Sequence, residues 1–358
     1  MTVQKSFSVF ITVVILSIAG VLFWSIDAST FELLENSEPR LLLYAVGLVV
    51  LCWIFDSFKF IALARAGGEK LSFKSTLAVV WINYFGCAIT PMQSGGGPFQ
   101  IYRLYKEGIS VGKSIAITLV RTIQTVLLLA LVIPFSFIAD PELLQNYVGM
   151  RWYVGYVILF IAVCTLLLLI SVLRPQKMKH LVNLVLVWGK RIGILKSKYL
   201  MNAVRRASRE IDAYNDGIKL FASTGKPWLL VSLIFAVLHL IAWVSVMPCL
   251  VKAAGFEINY LQCILAESLL LFMLYFAPTP GASGAAEGGA AAVFSLFVPW
   301  NVAGVLAVVW RILTEYTGTT LGTFIVIRTL GWGGANELVN AAKDAASENT
   351  GESDNESQ

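Results

Sequence analysis

A chain of 358 residues that is 57% hydrophobic and only 14% charged, with a mean hydropathy of +0.75, is excluded from the ordinary soluble domains, in which about a quarter of residues are charged. Five cysteines with no C-x-x-C pair, and only two histidines (His180 and His239), leave a disulfide framework and His-based zinc or triad chemistry poorly supplied. No cofactor, metal or nucleic-acid partner is expected, and the net charge of +5 informs through its placement.

The fold class is an all-α polytopic membrane protein with about six full spans plus two re-entrant broken-helix hairpins. Phe7–Ile26 is apolar over about 20 residues behind Lys5 and can cross a bilayer. It is read as an uncleaved first helix, being long for a signal h-region and lacking an A-x-A-like site at Trp24–Ser29. An acidic loop with Asp27, Glu32, Glu35 and Glu38 follows, then a second span, Leu41–Ala64, then Arg65, Lys70 and Lys74. Lysine and arginine mark the cytoplasmic side, so the N-terminus lies inside and the acidic loop outside.

Thr76–Ile89 is apolar but short, which suits a re-entrant segment better than a span. It runs into Thr90-Pro91-Met92-Gln93-Ser94-Gly95-Gly96-Gly97-Pro98, then reaches Arg103, Lys106 and Lys113. A hairpin returning to the cytoplasm keeps those charges inside. Ser114–Ile138 crosses outward to Asp140 and Glu142, and Trp152–Leu173 returns. The loop 174–226 is strongly basic and therefore cytoplasmic; apolar spacing at Met178, Leu181, Val182, Val185 and Leu186 lays part of it along the membrane face.

Pro227–Val251 spans outward, and Leu261–Ala277 is a second short piece. It meets Thr279-Pro280-Gly281-Ala282-Ser283-Gly284-Ala285-Ala286-Glu287, and Ala290–Val298 follows. This hairpin is expected to enter from outside. Val302–Ile327 returns inside, and the acidic stretch 331–358 is expected to be a disordered cytoplasmic tail. Domain 1–330 thus holds two repeats, about 41–138 and 227–327. Each carries T-P-x-x-S-G and then an arginine, Arg121 at 30 positions after Pro91 and Arg311 at 31 after Pro280. The charge-derived topology inverts one repeat against the other, and broken helices in an inverted repeat characterise transporter folds.

Helix breaks are tolerated at membrane depth where they are buried in protein or line a wet cavity. Thr90, Pro91, Ser94, Gly95 and Gly96, with Thr279, Pro280, Ser283 and Gly284, are therefore the candidate substrate-binding positions. Arg121, Glu287, Arg311 and Glu315 join them as charges inside or beside apolar segments, where they normally face a cavity or each other. Arginine's planar fork suits a phosphate. Arg311 and Glu315, four apart on a helix, equally permit a structural pair. Asp56 and Lys59 are read as pairing or snorkelling.

The patterns N-Y-F-x-x-x-x-T-P-M-Q-S-G-G-G-P-F at Asn83–Phe99 and P-T-P-G-A-S-G-A-A-E at Pro278–Glu287, with the arginine-bearing last span, resemble the flippase-like membrane domain of the lysylphosphatidylglycerol synthases, the multiple peptide resistance factor family. The resemblance runs to about Leu330. It implies translocation or handling of an anionic lipid headgroup at the cytoplasmic membrane. It also implies that Thr90, Pro91, Ser94, Gly95, Thr279, Pro280, Ser283, Gly284, Glu287 and Arg311 line the cavity. The full-length enzymes append a soluble aminoacyl-transfer domain; this chain ends about 30 residues beyond its last span, so lysyl transfer within it is not expected. Membrane lipids are the expected partners, with a homodimer and a separate glycosyl- or aminoacyl-transferase partner left open. Two alternatives also stay open: a membrane-embedded transferase using Glu287 or Glu267 as general base, and a secondary transporter of a soluble anion. No catalytic motif such as H-E-x-x-H or a P-loop is present.

Overall fold

Proline and clustered glycine weaken a helix, and several helix ends fall beside them, as at Ala66 before Gly67 and Gly68 and at Ala88 before Thr90 and Pro91. The computed structural model describes residues 3–25, 38–139 and 225–329, with scattered positions at 159 and between 212 and 223. The Trp152–Leu173 span, almost all of the basic loop and the acidic tail fall outside the described residues. Among the described residues every regular element is helical, apart from one isolated β-bridge.

The helices are α1 Val3–Ser25, α2 Pro39–Ala66, α3 Phe73–Ala88, α4 Gly96–Lys106, α5 Val111–Ala139, α6 Lys226–Val244, α7 Val246–Ala253, α8 Tyr260–Leu274, α9 Ala285–Phe294, α10 Trp300–Arg311 and α11 Thr317–Thr329. A π-turn, Ile312–Tyr316, joins α10 to α11. Pro39 opens α2 and Pro299 precedes α10, positions where the missing N–H costs nothing. Asn259 caps α8 by accepting the Leu261 and Gln262 N–H groups at 3.1 and 3.4 Å. Four helical stretches are long and apolar enough to cross a membrane: 7–24 of α1, α2, 111–129 of α5, and α6 with α7. Large apolar side chains such as Ile15, Leu16, Phe23 and Leu43 point away from the protein, as a bilayer solvent requires. The expected outward span 227–251 is divided at Ser245, and the expected last span 302–327 is interrupted by the π-turn.

The chain divides into two units, Met1–Phe55 with Leu77–Gln100 and Leu238–Gln358, and Asp56–Thr76 with Ile101–Val237. In the first, α9 packs along α10, and α1 lies against both. Its core includes Ile82, Phe85, Ile89, Phe99 and Val326, with Phe7 packed on them. Both T-P-x-x-S-G breaks belong to this unit. In the second, Phe58 stacks on Phe235 at 5.2 Å and meets Phe73 at a tilt at 5.4 Å, and the Arg65 guanidinium covers the Trp228 ring at 5.0 Å.

Candidate functional site

The two helix breaks meet. Pro91 and Pro280, the same position of the repeated motif, form an antiparallel β-bridge. The Met92 N–H donates to the Ala277 carbonyl at 3.1 Å, and the Gly281 N–H donates to the carbonyls of Cys87 and Thr90 at 3.2 and 3.3 Å. The exchange is reciprocal to within one residue, the arrangement that a local two-fold axis between two copies produces. The backbone agrees: Met92 and Gln93 have φ of 53° and 52°, and the matching Gly281 and Ala282 have 61° and 57°. Three of these four are non-glycine residues in left-handed conformation, each costing on the order of 1–2 kcal/mol. Strain of this kind collects at ligand clamps and switch regions.

Helices α4 and α9 begin directly after the breaks, so two helix N-termini lie at the meeting point. The first break is closed by its own side chains. Thr90 Oγ1 donates to the Gly86 carbonyl at 2.8 Å and accepts the Gly95 N–H at 2.7 Å. Ser94 is exposed and its Oγ donates to the Pro91 carbonyl at 2.9 Å. The second break is built differently. Gly284, at φ 85°, gives its N–H to Glu287 Oε2. The Oγ1 of Thr279 and the Oγ of Ser283 are buried and make no hydrogen bond among the described residues. Pro98 stands in the first repeat where Glu287 stands in the second, so α4 lacks the carboxylate that occupies the start of α9.

Arg311 joins the break to α10. Its Nη2 donates to the Gly281 carbonyl, its Nε lies 3.3 Å from Glu287 Oε1, and its Nη1 lies 3.8 Å from Glu315 Oε2. Tyr316 donates its hydroxyl to the same Glu287 Oε1. The Arg311 and Glu287 side chains are 3% and 0% exposed. The first partner of Arg311 is therefore Glu287, and the expected Arg311–Glu315 pair is its longer, weaker contact. Tyr316 is absent from the sequence reading for a physical reason: five residues past Arg311 it would leave that face of an α-helix, and the π-turn brings it back. A cavity of about 30 Å³ lies beside this cluster, lined by Gln93, Trp243, Leu271, Leu274, Tyr275, Trp310, Arg311, Thr314 and Glu315. Gln93 had no assigned role in the sequence; its left-handed backbone and its place in the first break are the signals that single it out. Glu267, from α8, accepts the Trp310 Nε1–H at 2.9 Å.

Arg121 does not share this unit. In the second unit its Nε and Nη2 hold both oxygens of Asp56, at 3.2 and 2.5 Å, and its guanidinium lies over Phe60 at 5.4 Å. Lys59 is fully buried rather than snorkelling; its Nζ donates to Thr125 Oγ1 at 2.7 Å. Among the described residues no group of three His, Cys, Asp or Glu is placed to hold a metal.

Two comparisons bear on this arrangement. The family described as the lysylphosphatidylglycerol synthase TM region matches residues 8–322. A UPF0104 membrane protein of Archaeoglobus fulgidus is 24% identical over 299 residues, covering 83% of this chain and 89% of its own length.

Proposed function

The chain belongs to the family of the lysylphosphatidylglycerol synthase TM region, and on that premise we propose that it moves or handles an anionic phospholipid or lipid-linked phosphate across the cytoplasmic membrane. The observation that carries the reading is the backbone junction of the two T-P-x-x-S-G breaks beside a buried arginine. Irregular backbone is tolerated at membrane depth only where it is buried or lines a wet cavity, and half-helix N-termini attract anions. Here α3 with α4, and α8 with α9, act as re-entrant hairpins from opposite faces. The headgroup phosphate sits between the N-terminus of α4, which carries no carboxylate of its own, and the guanidinium of Arg311. Gln93 and Arg311 already border one cavity. The acyl chains stay in lipid while the hairpins exchange their opening.

The transferase alternative loses one of its two candidate bases, because Glu287 already accepts from Arg311, Tyr316 and the Gly284 N–H; the other, Glu267, is fully buried against Trp310. The test uses proteoliposomes carrying a headgroup-labelled anionic lipid, quenched from outside. Wild type is expected to expose inner-leaflet label faster than empty vesicles. Arg311→Met is expected to abolish transfer and also to leave Glu287 buried without its cation, at a cost of roughly 3–5 kcal/mol. Arg311→Met with Glu287→Gln is expected to recover the thermal midpoint but not transfer. Recovery of both would reduce Arg311 to a structural role. Vesicles that take up soluble phosphate but leave lipid asymmetry intact would replace the lipid by a soluble anion, and a mass change in the lipid would favour the transferase.

A further inference from the structure

The cluster around Arg311 holds more carboxylate than cation. Glu267, Glu287 and Glu315 are 0%, 0% and 7% exposed, and the ion pairs among the described residues give them one cation, Arg311. A second ionised carboxylate without its own cation is costly in an apolar interior. The three acids differ in what they touch. Glu287 is committed to three donors. Glu267 is enclosed against Trp310 and the Met247 backbone, its Oε2 without a side-chain partner among the described residues. Glu315 has Arg311 Nη1 at 3.8 Å, beyond hydrogen-bond range, and it borders the cavity of about 30 Å³. By that measure of volume the cavity has room for roughly two waters. It is bordered by polar groups from Gln93, Thr314 and Arg311, which suits a hydrated site for a proton.

The backbone at Glu315 is also unusual. The π-turn Ile312–Tyr316 replaces ordinary helix between Arg311 and Thr317, and such turns occur frequently at functional sites. The titratable or charged groups facing Glu315 are Arg311 and Tyr316 on its own stretch, Glu287 from α9, and Tyr275 from the end of α8. From α6, Trp243 reaches the cavity; His239, one turn earlier, directs its Nδ1 to the Cys52 carbonyl at 3.0 Å.

We propose that Glu315 is an exchangeable proton site, and that it takes up a proton as Arg311 engages an anionic headgroup. The coupling half rests on the lipid-handling reading above. With Glu315 ionised, the Arg311, Glu287 and Glu315 group carries a net negative charge that opposes an anion. With the Glu315 oxygen protonated by water-borne protons through the cavity, the group is neutral and Arg311 is released from its second carboxylate. Anion and proton then enter together and leave together, and no other bond forms or breaks.

Two measurements on the purified full-length protein separate the halves. Infrared difference spectra between acid and alkaline pH are expected to show a protonated carboxyl band that titrates in wild type. It should persist in Glu267→Gln, disappear in Glu315→Gln, and reappear at shifted frequency in Glu315→Asp, which keeps the acid if the amide variant folds poorly. Glycerol phosphate, the soluble core of a phospholipid headgroup, is then added in weak buffer while pH is followed. Binding is expected to draw in about one proton per site, and none in Glu315→Gln. A wild type without a titrating band lost in Glu315→Gln overturns the proton site, whatever the lipid assay gives. Binding without proton uptake overturns the coupling. If glycerol phosphate fails to bind and lipid is not moved, the functional reading falls together with the coupling, while a titrating band still assigns the proton to Glu315.

Discussion

Thr90 and Thr279 open the same six-residue motif and hold different bonds. Thr90 carries two, one to the Gly86 carbonyl and one from the Gly95 N–H, and Gly95 is buried. Replacing it by valine, nearly the same shape, leaves the Gly95 N–H without its partner, which costs about 1–3 kcal/mol. Thr279 Oγ1 is buried with no hydrogen bond among the described residues, so Thr279→Val removes an unpaid desolvation and gains or loses less than about 1 kcal/mol. Thermal unfolding in detergent is expected to show a lower midpoint for Thr90→Val and an unchanged one for Thr279→Val. Lipid transfer should nevertheless fall in Thr279→Val if that hydroxyl faces the headgroup. Equal midpoints for the two variants would mean that the Thr90 clasp does not hold the first break.

At the scale of elements, the breaks were the most legible feature of the sequence. Proline removes a backbone donor and glycine lowers helix propensity, so a Thr-Pro step followed by glycine marks a break in an apolar run. The short runs 76–89 and 261–277 accordingly became α3 and α8 with ends only a few residues away. The π-turn and the division at Ser245 carry no proline or glycine at the break itself and left no such mark. Arg311 was legible as a charge within an apolar run. Its partner was not, because Glu287 lies 24 positions away and meets it only through the packing of α9 on α10. The Arg121–Asp56 pair is separated by 65 positions and was hidden for the same reason. How α3 seats on its break is testable. A Cβ on Gly95 would fall 2.5 Å from the Gly86 carbonyl oxygen, which is backbone and cannot swing aside, whereas one on Gly97 would meet nothing within 4 Å. Gly95→Ala is expected to cost about 1–3 kcal/mol through forced backbone movement. Gly97→Ala should be neutral to within about 1 kcal/mol, since it sits in α4 where alanine is the better helix former. A Gly95→Ala protein with a wild-type midpoint would show that the loop can lift from α3 without loss.

For the whole molecule the open variable is orientation, and the charge pattern commits to one. Arg103, Lys106 and Lys113 follow the first break, and the stretch 174–226 ahead of α6 is strongly basic. The positive-inside tendency is therefore expected to put the end of α4 and the start of α6 in the cytoplasm, and a crossing by α6 with α7 then carries the α7–α8 connection outside. The proposed pair of inverted hairpins joining at Pro91 and Pro280 requires this asymmetry: each break would be reached from its own side, and a full crossing by either hairpin would turn every later element over. Lys106 and Glu257 are both exposed to solvent, so each accepts a single cysteine in a protein stripped of its native five. In whole cells an impermeant maleimide is expected to label position 257 at once and position 106 only after permeabilisation. Labelling at 106 from outside would mean that α3 and α4 cross fully, leaving the antiparallel bridge without an inverted repeat to explain it. Protection of both positions would put the α7–α8 connection inside and reverse the second hairpin. Under the expected pattern, the headgroup site is reached by one hairpin from each leaflet, the geometry that an exchange of lipid between leaflets requires.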